Sequence, residues 1–157
     1  MRLTVYSDYS LRLLMYLAVR TERLSTIQEV AKAYDVSSNH MMKVVHQLGL
    51  AGYVETVRGR NGGMRLGKPP SEIGLGELLR FTEPDMDIVP CFSPENQDCP
   101  LRRACRLKGA LDKARQAFLA VLDEYTLADL TSAPDPMRSF LGLPPTVPVT
   151  RPDAART

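Results

Sequence analysis

The chain has 157 residues, 44% of them hydrophobic, which is enough for one compact domain plus an additional element and too apolar for disorder throughout. No apolar run approaches the roughly 20 residues needed to cross a bilayer, and MRLTVYSDYS lacks the charged-then-apolar order of a secretion signal, so a soluble, cytoplasmic protein with no membrane partner is expected. The net charge of +2 names no partner, but its distribution is uneven: five acids and no base lie between Glu83 and Asp98, whereas Arg102, Arg103, Arg106, Lys108, Lys113 and Arg115 follow against Asp112 alone.

Residues 11–19, LRLLMYLAV, are apolar on nearly every side of a helix, which predicts burial all round, between the domain and a second subunit. Ser7 is the predicted N-cap of this helix, with Asp8 in the first turn, where a carboxylate suits the helix dipole. Thr26 and Glu29 have capping-box spacing, and Ile27, Val30, Ala31 and Tyr34 then repeat with helical period. Asp35 and Val36 interrupt the pattern, Ser37 offers a new cap, and Met41, Val44, Val45 and Leu48 repeat it. Two short helices joined by a tight turn make a helix-turn-helix, whose second helix enters a DNA groove. Its outward positions are Ser37, Ser38, Asn39, His40 and Lys43, with His46 and Gln47 further along.

Residues 53–57 then read as a strand, RGRNGG as a turn, and residues 64–66 as a second strand. The hairpin carries Arg58, Arg60, Arg65 and Lys68 against one acid, Glu55, as suits a wing laid on phosphates. Pro69-Pro70 breaks the chain, and residues 75–81 read as a short helix. Beyond Pro100, Leu107, Leu111, Ala114, Phe118, Val121 and Tyr125 step by four and three, a coiled-coil-like seam. A helix over 101–127 would be roughly 40 Å long, too long for its own small domain to cover, so a two-fold homodimer is expected. Residues 131–157 read as a Pro-rich, mostly disordered tail with an anchor at Phe140-Leu141. The expected fold is thus mainly α: a winged helix-turn-helix over 1–70, a short helix and cysteine loop over 71–100, and a dimerisation helix over 101–130.

All three cysteines lie in CFSPENQDCPLRRAC, at Cys91, Cys99 and Cys105. An odd number cannot pair off, and a reducing compartment favours metal ligation or redox chemistry over disulfides. Zinc and cubane iron-sulfur clusters each want a fourth ligand, for which Asp8, Glu83, Asp85, a histidine or an exogenous molecule are the candidates. An iron closed only by oxygen stays open to a diatomic molecule, which favours a sensor. Zinc and an oxidation switch are the alternatives.

With these residues in place, the chain resembles the bacterial Rrf-type winged-helix iron-sulfur transcriptional regulators, most closely their nitric-oxide-sensing repressors. The likeness spans residues 1–130: MRLTVYSDYSLRLLMYLA is similar to the opening helix, VSSNHMMKVVHQLGLAGYV to the reading helix, VRGRNGGMRLGKP to the wing, and CPLRRACRLKGAL with LDEYTLADL to the cluster loop and dimer helix. Iron-sulfur-biogenesis regulators of this group have a histidine where this chain has Lys108, which argues against their two-iron cluster. The resemblance implies a 4Fe-4S cluster on Cys91, Cys99 and Cys105, with Asp8 donated by the second subunit, controlling repression at operator DNA with nitric oxide as the signal. Iron-responsive regulation, as in the rhizobial members, is the alternative. An enzyme is not expected: neither of the two histidines lies near the cysteines in sequence, and no nucleophile-base pair stands at short range.

Overall fold

The structure, a computed structural model, describes residues 2–96 and 98–145. Helix α1 (Val5–Val19) starts one turn earlier than the sequence suggests, because Thr4 rather than Ser7 caps it: the Thr4 hydroxyl accepts from the Ser7 amide. Ser7 is instead buried, and its hydroxyl donates to the Thr82 hydroxyl at 2.8 Å. Asp8 keeps its predicted place in the first turn. Leu13, Leu14, Tyr16, Leu17 and Val19 are buried, and α1 packs against helices and a strand from both ends of the chain. Its all-round apolar character is therefore met largely within one protomer.

Helix α2 (Ile27–Tyr34) opens with the predicted Thr26–Glu29 capping box and closes at Asp35, whose φ of 51° provides the left-handed turn into α3 (Ser38–Leu50). Met41, Val44, Val45 and Leu48 turn inward from α3, as their spacing predicts. Strands β1 (Val54–Val57) and β2 (Gly63–Leu66) pair antiparallel with Glu55 opposite Arg65. Ser25 and Met64 exchange two backbone hydrogen bonds, which fasten the hairpin to the segment ahead of α2. A Cβ on Gly63 would stand 2.8 Å from the Ser25 carbonyl oxygen, so this close approach requires glycine.

Helix α4 (Leu75–Thr82) follows as predicted. The cysteine segment forms successive turns, among them a short 3-10 turn over Pro90–Phe92. Helix α5 (Arg106–Asp123) is shorter than the predicted 101–127 at both ends. At its start, residues 99–104 are consumed in turns, with the Arg102 amide on the Cys99 carbonyl and the Ala104 amide on the Leu101 carbonyl. At its end the chain turns back, so that the Leu75 amide reaches the Tyr125 carbonyl and the Leu127 amide the Ile73 carbonyl. No residue of α5 is buried; Leu107 and Val121 of the predicted apolar seam are exposed on it, and Tyr125, the last seam position, is exposed just past its end.

Helix α6 (Leu127–Leu130) closes the expected dimerisation segment, and α7 (Pro134–Phe140) corrects the expectation of a disordered tail up to residue 145. The reason is Arg138. Its guanidinium is almost wholly buried, donating to the Val19 carbonyl at the end of α1, to Glu22 and to the Pro144 carbonyl. Of the expected anchor Phe140-Leu141, Phe140 is 91% exposed while Leu141 packs against the core, with Leu143 buried beside it. The rest of the predicted tail, residues 146–157, lies outside the described residues. Among the described residues no helix is long and apolar enough to cross a membrane.

Candidate DNA interface and metal-binding loop

The buried stripe of α3 fixes its opposite face outward, and Ser37, Ser38, Asn39, His40 and Lys43 are all exposed there. The Ser37 side chain makes no capping bond, so its hydroxyl is free for an external partner. Arg58 and Arg60 stand exposed at the wing turn and make no ion pair among the described residues. Arg65 differs. Both its Nε and Nη2 donate to the Glu55 carboxylate across the hairpin, at 2.9 and 3.0 Å, which holds the Glu55 carboxyl below the usual carboxylate range. Its availability to phosphate is therefore smaller than its charge suggests. Lys68 sits over the Tyr53 ring, 4.7 Å from the centroid.

The start of α1 touches this reading unit directly. The Tyr9 ring lies 6.4 Å from the His40 ring at the start of α3. Asp8 accepts from Arg12 at 3.0 Å, and the Arg12 guanidinium lies over the Tyr34 ring at the end of α2. Asp8 thus reaches α2 through Arg12, and its chain neighbour Tyr9 reaches α3, a proximity with no local sequence signal.

On the other side, Cys91 is half-buried in its 3-10 turn, Cys99 is exposed, and Cys105 is half-buried at the N-cap position of α5; all three are free thiols. Among the described residues no three Cys, His, Asp or Glu side chains come close enough to hold a metal ion, so one protomer by itself does not gather the predicted ligands. The loop is nevertheless strapped down. Arg115 of α5 lies over the Phe92 ring at 4.8 Å and pairs with Asp112 at 2.6 Å and Asp87 at 3.6 Å. These contacts hold the Cys91 turn beside the first turns of α5, where a cavity of about 390 Å³ is lined by Phe92, Cys105, Lys108, Gly109, Asp112 and Arg115. The first-turn amides of α5 receive no side-chain cap, which favours an anionic group at Cys105.

Of the other fourth-ligand candidates, Glu83 is already engaged. Its carboxylate accepts from the Thr4 amide at 2.8 Å and the Thr4 hydroxyl at 3.2 Å, tying the base of the cysteine loop to the start of α1 in the same chain. Asp85 accepts from the Asp87 amide and shapes the loop locally. The sequence singled out neither the Glu83–Thr4 clasp nor the Arg115 strap, since Glu83 is far from Thr4 in the chain and Arg115 far from Phe92 and Asp87.

The chain is similar to known proteins in sequence and in fold. The family pattern described as "Rrf2: Iron-dependent Transcriptional regulator" matches residues 3–133. The HTH-type transcriptional regulator NsrR of Bacillus licheniformis is 50% identical over 142 residues, covering 90% of this chain and 99% of the relative. That of Shouchella clausii is 49% identical over 142 residues, covering 90% and 95%. Among solved structures, CymR, the global cysteine regulator of Bacillus subtilis, superposes with a TM-score of 0.67 at 28% identity, over 84% of this chain and 97% of that one. All three are regulators, two of them named as transcriptional, in keeping with the expectation that the chain is not an enzyme. With the family pattern spanning most of the chain and relatives half identical over nine-tenths of it, the chain belongs to the Rrf2 family of transcriptional regulators.

Proposed function

We propose that the protein is a homodimeric repressor whose hold on operator DNA depends on a 4Fe-4S cluster and is released by nitric oxide. The observation that carries this reading is the placement of the three unpaired thiols: they lie on one strapped loop between the α1 start, which touches the reading helix, and α5, whose apolar seam is uncovered. Cys91, Cys99 and Cys105 would hold the cluster, and their free thiols and the uncapped helix start at Cys105 fit an anionic thiolate set. A fourth ligand is needed from elsewhere, and Asp8 of the partner subunit is assigned to it. When bound, the cluster supplies irons with which nitric oxide reacts.

The chain's own residues provide the coupling. Residues 1–70 form the reading unit, 71–100 the cluster segment and 101–130 the dimerisation segment. Asp8 is linked through Arg12 to Tyr34 of α2, and its neighbour Tyr9 to His40 of α3. A carboxylate drawn toward the partner's loop therefore bears on both helices, and on the separation of the two reading helices in the dimer. Operator half-sites lie roughly 34 to 36 Å apart, so small changes in that separation weaken binding sharply. Ser37, Ser38, Asn39, His40 and Lys43 would meet bases and nearby phosphates, and Arg58, Arg60 and Arg65 phosphates and the minor groove.

A second reading, iron availability as the signal, is supported by the "iron-dependent" description of the matching family. One experiment separates the two. The protein is purified without oxygen, its visible absorption, iron and sulfide are measured, and DNA binding is followed during separate titrations with nitric oxide and with an iron chelator. Loss of binding with nitric oxide at constant iron supply supports the repressor described here; loss with chelator alone supports the iron sensor, and a colourless zinc protein rejects both.

A further inference from the structure

The outward face of the first turns of α3 carries a side chain that hydrogen-bond chemistry does not explain. Met41 is fully buried and anchors the helix, but its neighbour Met42 is 53% exposed. Helical spacing puts Met42 alongside Asn39, three residues before it, and His46, four after it, both exposed. Lys43, also exposed, adjoins it in the chain, and the basic wing carries the same sign of charge. A surface so flanked suits the polyanionic duplex. In the major groove the one apolar group displayed by the base pairs is the C5-methyl of thymine, and an apolar side chain reads it by contact. Methionine, unbranched and with three rotatable bonds, can reach such a group without a fixed approach angle.

We propose that Met42 is a specificity-determining residue that packs on a thymine methyl group in each operator half-site. This rests on the DNA-binding reading above and adds an apolar base contact to its polar ones. Leu50 is also exposed on α3, but it lies two turns further on, at the end leading into the wing, away from the N-terminal turns that contact base edges.

The test uses the full chain, purified without oxygen, and duplexes recovered by selection from a random-sequence pool. Each thymine of the recovered site is replaced in turn by deoxyuridine, which removes only the methyl group. For the wild type, one position per half-site is expected to lose about fourfold in affinity, the worth of burying one methyl group. Met42→Ala, an exposed substitution whose folding is checked by circular dichroism, should bind the thymine and deoxyuridine duplexes equally at that position and keep every other sensitivity. Met42→Leu should restore the discrimination. If Met42→Ala gives the wild-type profile, or if Leu50→Ala abolishes the discrimination in its place, the assignment of Met42 is overturned. Recovery of no preferred sequence would overturn the DNA-binding reading and this contact with it.

Discussion

Arg60 and Arg65 stand on the same hairpin with the same formal charge, yet their partners make them unequal. Arg60 makes no ion pair among the described residues, whereas Arg65 is bound by two hydrogen bonds to Glu55. Arg60→Ala should therefore lower affinity across all sequences and flatten the salt dependence by about one phosphate contact. Arg65→Ala should do less. Fluorescence anisotropy against salt concentration measures both, and an unchanged slope for Arg60→Ala would remove the wing from the interface. Glu29 carries a second prediction. The hydrogen bond from Arg23, with help from the Thr26 amide, pulls its carboxyl from 4.5 to about 2. A folded value below the unfolded one means that the ionised group stabilises the protein fully above about pH 4.5 and ceases to as the pH falls toward 2. Denaturant midpoints of the wild type and Glu29→Gln should differ at pH 7 and converge in acid. Residues of this kind were legible in the sequence where their role is local: the Thr26–Glu29 box and the polar face of α3 follow from spacing alone. The Glu83–Thr4 clasp was not, because it joins residues 79 positions apart.

At the scale of elements the same division holds. Helices α2 and α4 and the β1–β2 hairpin were readable because caps, helical periods and the Asn-Gly turn act within a few residues. Helix α5 is shorter than its apolar period suggests, since the backbone turns after Cys99 leave no mark in that period. Proline-rich composition masks helix α7, whose docking depends on Arg138 meeting Val19, 119 residues away. Removing that guanidinium should cost about 2 kcal/mol, the scale of hydrogen bonds made by a charged group, and leave the Val19 carbonyl without its donor. Chemical denaturation of Arg138→Ala gives the magnitude, and hydrogen exchange should show α7 and the end of α1 opening together. A similar element-scale expectation holds at the other end of α1. Thr4→Val removes the cap and one arm of the Glu83 clasp, and should cost about 1 kcal/mol, with exchange rising in the first turn of α1.

For the whole molecule, the uncovered seam of α5 is the feature that a single protomer leaves unexplained. Leu107, Val121 and Tyr125 are exposed and none belongs to the protomer's core, so charging them should separate the subunits without unfolding either. Leu107→Glu combined with Val121→Glu is expected to sediment as a folded monomer and to lose most of its operator affinity, because two half-sites then bind independently. The proposed fourth ligand, Asp8 of the partner subunit, belongs to this scale as well, since one chain has three thiols along its loop and its Asp8 beside its own reading helices. The most direct test of the coupling between cluster and DNA is an anaerobic titration of the cluster-loaded dimer with nitric oxide, recording cluster absorbance and operator anisotropy in the same sample. The expected result is that anisotropy falls in step with the absorbance change, and that Asp8→Ala blunts the dependence. Full operator occupancy after the absorbance change is complete would contradict control of DNA binding by the cysteine loop.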